Sequence, residues 1–292
     1  MCSVCYSLIP SKDYHVSFTH QQNHLMLLQN KTAVIYGAGG SLGSAVAKAL
    51  AAAGANVFLT GRNIESIKKT ETEILATGGS AEATVVDGFN EKAINDHLIK
   101  LVEKEGKLDI SFNAVGVDVV QNIPLIEISQ EDFVKPVTLT MQTRFLTAVA
   151  AAKIMKQQKS GVILSLTATP GGIGYPYTGG FAAACSATES LSRNLASELG
   201  IYGIRVVNIR SGGSPDSKVF KQAIDGQPEV MAPILQKMKN DTMLKELPLM
   251  ADIANTAVFL ASDLAGKITG VTIDVTSGTT AALNYRVDKN LD

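Results

Sequence analysis

Tryptophan is absent from this 292-residue chain, and aromatic residues make up only 5% of it. Its core must be filled by aliphatic and small side chains, and alanine and glycine abound, which suits close packing of helices on a sheet. Cysteine is scarce as well. Cys2, Cys5 and Cys185 are the only three, too few for a disulfide framework and best read as belonging to a reducing cytoplasm. Neither sign of charge is in excess, and a formal net charge of −1 removes the usual reason to expect nucleic acid or an acidic surface as partner. No run of about 18 apolar residues lacks a polar break, so no membrane span is expected. Asp13, His15 and His20 fall where the apolar core of a secretory signal would have to continue. There is no repeat of fixed period and no low-complexity tract.

What is present is material for a large core. At 46% hydrophobic, the chain can form one sizeable α/β domain. Residues 1–25 are polar and histidine-rich, without sustained periodicity. From Met26 the texture becomes an alternation of short Val- and Ile-rich runs with helical patterns. Strands are expected at Thr32 to Tyr36, Asn56 to Thr60, Thr84 to Val86, Leu108 to Ala114, Gly161 to Thr167, Ile204 to Ile209 and Val271 to Val275. Helices are expected between them, including a long one from about Gln130 to Lys156 and another from about Phe181 to Leu199. Strands of this composition separated by helices predict a seven-stranded parallel sheet buried on both faces. Right-handed crossovers then give a single doubly wound Rossmann-type α/β domain over residues 26–292. Residues 214–245, polar and bearing glycine and lysine, are expected to form a lid over a substrate.

The turn after the first strand reads Gly37-Ala38-Gly39-Gly40-Ser41-Leu42-Gly43 and opens a helix. Glycines there let the backbone turn tightly and approach a pyrophosphate, while the helix N-terminus offers free N–H groups and the positive end of its dipole. Strand, loop and helix in sequence make a dinucleotide site the preferred reading over an ordinary glycine-rich turn, with Gly37, Ser41, Leu42 and Gly43 in contact with the cofactor. About 20 residues further on, a carboxylate is expected to hold the ribose of NAD, but the chain reads Thr60-Gly61-Arg62. Arg62 suits a 2′-phosphate through its planar fork of donors, which favours NADP; the alternative is a solvated residue at a helix start. Asp87 ends the third strand and either caps the following turn or faces the adenine.

These elements resemble the short-chain dehydrogenase/reductase family, and the likeness runs from Met26 to about Gly278. The family's glycine motif matches Tyr36 to Gly43, and its Asn-Asn-Ala-Gly matches Asn113-Ala114-Val115-Gly116. The run from Glu198 to Asn208, then Phe259 to Asp263 and Ile268 to Gly270, match the approach to its sixth strand and its closing helix and strand. The resemblance implies an oxidoreductase that moves hydride between NADP(H) and a small-molecule carbonyl or enone, with Asn113 and Gly116 near the cofactor and a homo-oligomeric assembly.

At the catalytic positions the chain departs from the family. A tyrosine acid, a lysine four residues later, a serine after the fifth strand and an asparagine in the long helix correspond here to Phe181, Cys185, Ala168 and Thr140. Phenylalanine has no proton to give, and a thiol does not replace a permanent ammonium. General acid help is typically worth about 10²–10⁴ in rate, so ordinary ketone reduction by the family mechanism is expected to be crippled. Tyr175 and Tyr177, in the loop ahead of Phe181, are the remaining donor candidates or simply loop residues. Related enoyl reductases set their tyrosine further ahead of the lysine, but that spacing from Cys185 falls on Thr178. Cys185 has no nearby base and reads as a buried inert thiol. The alternative for the whole chain is a cofactor-binding scaffold without turnover. Cys2, Cys5, His20 and His24 have a zinc-finger spacing, yet Ile9 and His15 stand where a finger's core residues belong. No metal is therefore expected, and residues 1–25 read as an extension.

Overall fold

The computed structural model describes residues 26–281. Strands β1 (Thr32–Tyr36), β2 (Asn56–Gly61), β3 (Ser80–Val85), β4 (Ile110–Asn113), β5 (Gly161–Ala168), β6 (Ile204–Ser211) and β7 (Thr272–Val275) form one sheet in the order β3-β2-β1-β4-β5-β6-β7. Every pairing is parallel. The chain order reverses between β1 and β4, and this is the switch point at which open α/β sheets leave a crevice at the strands' carboxyl ends.

Helices cover both faces. On one side α1 (Ser41–Ala52), α2 (Ile64–Ala76) and α8 (Met250–Ala261) share a core with Ala33, Ile35, Val57, Leu59, Phe112 and Leu164. On the other, α3 (Glu91–Glu105), α4 (Gln130–Gln158) and α5 (Gly180–Leu199) enclose Val34, Tyr36, Phe58, Ile163 and Val206. Neighbouring residues of β1 thus point into different cores, and all five are buried, as alternation demands of a central strand. Between β6 and α8 lie α6 (Lys218–Gly226) and α7 (Pro228–Asn240), in neither of which any residue is buried.

Capping explains several boundaries. The side chains of Asn63, Asn90 and Ser129 accept from the N–H three residues on and open α2, α3 and α4. Pro136 lies inside α4, where it removes one backbone donor. Gly180, at the start of α5, faces that turn. A β-carbon on it would lie 2.0 Å from the Phe133 carbonyl oxygen and 2.8 Å from the Pro136 ring, so only glycine lets the two helices meet there. The third strand begins four residues before its expected start, because Ser80 pairs with Asn56 at the sheet edge. The fourth is shorter at both ends than its apolar run.

Candidate functional site

The loop from Gly37 to Gly43 is held from both sides. The Gly37 and Ala38 N–H groups donate to the Thr60 carbonyl at 3.0 Å each, and Gly40 N–H to the Gly37 carbonyl at 3.0 Å. Gly37 has φ of +79°, and a β-carbon there would lie 2.7 Å from the Ala114 carbonyl oxygen. Gly43 is as constrained without any unusual φ, since its β-carbon would meet the Gly37 carbonyl oxygen at 2.2 Å. The loop is therefore folded back on the N-terminus of α1 and packed against the turn after β4. Gly40, as N-cap, supplies no side-chain acceptor, so the first N–H groups of α1, beginning at Ser41, face the crevice as an anion site would require. The Ser41 hydroxyl accepts from the Lys218 N–H at 3.0 Å, which joins this loop to the first turn of α6. Leu42 packs against the core.

Arg62 and Asp87 stand at the carboxyl ends of β2 and β3. The Arg62 guanidinium is exposed and lies 5.9 Å from the centre of the Phe89 ring. Among the described residues it joins no ion pair. Asp87 accepts from the Phe89 N–H at 3.1 Å and lines an open depression with Phe89, Asn90 and Lys92. Asp87 thus caps the turn that follows β3.

Asn113 ends β4 and is buried. Its amide donates to the Thr143 carbonyl and hydroxyl at 3.2 Å each and to the Thr147 hydroxyl at 2.8 Å, and its oxygen accepts from the Val115 N–H at 2.9 Å. The side chain is thus committed to shaping the turn. Gly116 is exposed, with nothing within 4 Å of where a β-carbon would be.

Across the switch point, β5 ends at Ala168 and α5 begins at Gly180, followed by Phe181. Phe181, Ala168 and Thr140 are each half-buried. The hydroxyls beside Ala168 are engaged: Thr167 donates to Glu189 at 3.1 Å and Thr169 to the Ser211 carbonyl at 3.3 Å. Cys185 is buried, and burial pushes its thiol up to about 11. A hydrogen bond with the Ala168 backbone opposes the rise, Glu189 adds to it, and Arg144 and Arg210 pull the other way. Tyr175 and Tyr177 are both exposed. Tyr175 lies near Lys237 of α7, and Tyr177 has φ of +62° while its carbonyl accepts from the Asn122 N–H at 2.8 Å.

Four charged residues unforeseen in the sequence adjoin the ends of β4 to β7 here. Arg210 forms a two-point pair with Glu189 (2.6 and 3.0 Å) and bonds both Asp274 oxygens at 2.8 and 2.9 Å. Burial pushes the Arg210 cation down, but its bonds to Glu189 and Asp274 outweigh that and hold it above the ordinary value. Arg144 donates to the carbonyls of Asn113 at 2.8 Å and Leu166 at 3.2 Å, and also to the Asn113 side-chain oxygen. It was findable: Arg144, Thr147, Ala148, Ala151 and Met155 share one helical stripe, and a long cation in a stripe of small residues is conspicuous.

The site therefore has two halves: a glycine loop with Arg62 and Asp87 on one side of the switch point, and the ends of β4, β5 and α5 on the other. A family model described as enoyl-(acyl carrier protein) reductase matches residues 37–280. An uncharacterized oxidoreductase of Thermotoga maritima is 33% identical over 88% of this chain and 100% of its own. Levodione reductase of Leifsonia aquatica is 31% identical over 87% of this chain and 95% of its own. The structure of NAD+-bound xylitol dehydrogenase superposes with a TM-score of 0.79 at 25% identity, covering 86% of this chain and 99% of that one. Fold, glycine loop and these likenesses agree: the chain belongs to the short-chain dehydrogenase/reductase family of oxidoreductases.

Proposed function

We propose that this oxidoreductase uses NADP(H) and delivers hydride to an activated small-molecule acceptor, a conjugated enone, rather than to a simple ketone. The residues fit the cofactor. Gly37 and Gly43 let the backbone close under a pyrophosphate, the N-terminus of α1 receives its charge, and Arg62, which pairs with no carboxylate among the described residues, is available to a 2′-phosphate. Bound NADPH supplies the hydride.

The observation that carries the choice of acceptor is the lack of a disposable proton where β5 meets α5. Phe181 and Ala168 have none, the Cys185 thiol is raised to about 11, and the Thr167 and Thr169 hydroxyls are spent within the fold. A ketone needs its oxygen protonated as the alkoxide forms. A conjugated enone spreads the arriving charge over an enolate, and solvent entering beside exposed Tyr175 and Tyr177 can supply the proton afterwards. The enoyl reductase description of the matching family model supports this direction, and favours turnover over a scaffold role.

Two measurements test the reading. NADPH oxidation is followed with cyclic and acyclic enones; turnover is expected with some of them, and none across the panel would refute the proposed acceptor. NADPH should bind more tightly than NADH, with Arg62→Ala narrowing the gap; equal affinities in the unmodified protein would refute the cofactor assignment.

A further inference from the structure

Among the described residues, Arg144 is a buried cation without an acid. Two of its nitrogens bond to main-chain carbonyls near the ends of β4 and β5, and its Nε has no hydrogen-bond partner among those residues. Among the described residues no carboxylate pairs with it. Burial lowers its pKa only to about 10, so it keeps its charge at neutral pH. An isolated buried charge is among the more expensive features a fold can carry. Its neighbours do not cancel it. Cys185 is a neutral thiol, and Glu189 is matched to Arg210, whose further partner Asp274 has a side chain 38% exposed on the β7 flank.

The placement gives this charge a consequence. Arg62 and Asp87 mark the ends of β2 and β3 as the adenosine half, so the other half of a dinucleotide crossing the switch point lies over the ends of β4 and β5. Those are the two strand ends that Arg144 ties together. The oxidised nicotinamide ring carries a formal positive charge and the reduced ring carries none, so a fixed cation near the bound ring would penalise only the oxidised form.

We propose that Arg144 makes this site select the reduced cofactor, so that NADPH binds well above NADP+ and the enzyme is set to work as a reductase. The inference rests on the NADP(H) assignment above. At an effective dielectric constant of about 20, Coulomb's law would give a preference of roughly tenfold for a ring about 12 Å from the charge and roughly thirtyfold for one about 8 Å away.

Direct titration of both forms tests it. The ratio of the NADP+ to the NADPH dissociation constant should exceed about ten in the unmodified protein. It should fall at least fivefold in Arg144→Met and be retained in Arg144→Lys, with thermal melts verifying that each variant is folded. A second measurement needs no variant. Both constants should weaken between low and high salt as phosphate contacts are screened, while their ratio stays fixed, because a buried charge is screened much less. A ratio near one in the unmodified protein, a ratio that collapses with salt, or one unchanged in folded Arg144→Met would overturn the proposal while leaving the cofactor assignment standing. Failure of either form to bind would overturn both.

Discussion

Alanine substituted at three glycines of the site should produce three different results, and the geometry sets their order. At Gly43 the new β-carbon would lie 2.2 Å from the Gly37 carbonyl oxygen, against about 3.4 Å for ordinary contact. Both atoms belong to the main chain, so the loop or the first turn of α1 must move by about 1 Å. Such overpacking costs about 1–3 kcal/mol and occasionally more, and a backbone obstacle puts it at the upper end. Against this, alanine gains up to about 1 kcal/mol over glycine within a helix. The net loss of about 2 kcal/mol corresponds to a fall in Tm of about 4–8 °C for a domain of this size. At Gly39 the obstacles are the Ser66 hydroxyl at 2.2 Å and the Ser66 β-carbon at 2.8 Å; the hydroxyl can rotate away and lose its 3.0 Å bond to the Asn63 carbonyl, but the β-carbon moves only with the start of α2, so a loss of about 1–2 kcal/mol, smaller than at Gly43, is expected. At Gly116 nothing lies within 4 Å and φ is not left-handed, so alanine should be neutral or slightly stabilising. Thermal melts and NADPH titrations of the three variants provide the assay, with Gly43→Ala weakening the cofactor about tenfold or more because the α1 N–H groups shift. A Gly43→Ala protein as stable as its parent, or a Gly116→Ala protein the worst of the three, would refute the packing argument.

Two further outcomes follow from buried groups. Glu189→Ala leaves Arg210 with Asp274 alone and strips Thr167 of its acceptor. Because Arg210 keeps its Asp274 pair, urea unfolding should register a loss of about 2–3 kcal/mol, much of it recovered when Arg210→Met and Glu189→Met are combined; a single-variant loss below about 1 kcal/mol would refute a buried pair. Cys185 supplies a pH dependence with a definite sign. Its folded pKa of about 11 lies above the unfolded value of about 8.5, so the neutral thiol's contribution is complete below about 8.5 and lost as pH rises through 11. A protein with Cys2→Ser and Cys5→Ser should be alkylated slowly at pH 7.5 and lose up to about 2–3 kcal/mol of stability between pH 8.5 and 11. A Cys185→Ala change should flatten that slope; rapid native-state alkylation at pH 7.5 would contradict the burial.

Alternation of apolar runs with helical patterns made the sheet legible, down to all seven strands, because parallel strands buried on both faces carry continuous Val and Ile. The edge strand was placed late, since Ser80-Ala81-Glu82-Ala83 have no such run and join the sheet only through pairing with β2. The helices α6 and α7 were less legible for a different reason: Val219, Phe220, Ala223 and Ile224 repeat at helical spacing in α6, but the helix is short, lysines interrupt its apolar residues and none of its residues is buried. The glycine loop was readable because its constraint is local. The ionic network was not, because Thr167, Arg210 and Asp274 become neighbours only through the register of β5, β6 and β7, and no spacing along the chain encodes that. Arg144 lay between these cases, conspicuous on its stripe yet without a visible partner until β4 and β5 were set side by side.

The proposed preference for an enone over a ketone rests on the junction of β5 and α5, where, among the described residues, Phe181 and Ala168 carry no proton to give and the Cys185 thiol is raised to about 11. Its most direct test is steady-state NADPH oxidation over a panel of simple ketones, run on the unmodified protein beside Tyr175→Phe and Tyr177→Phe. Negligible ketone turnover by all three proteins is the expected result. Robust turnover that survives both substitutions would show that a proton donor stands where Phe181, Cys185, Ala168 and Thr140 leave none.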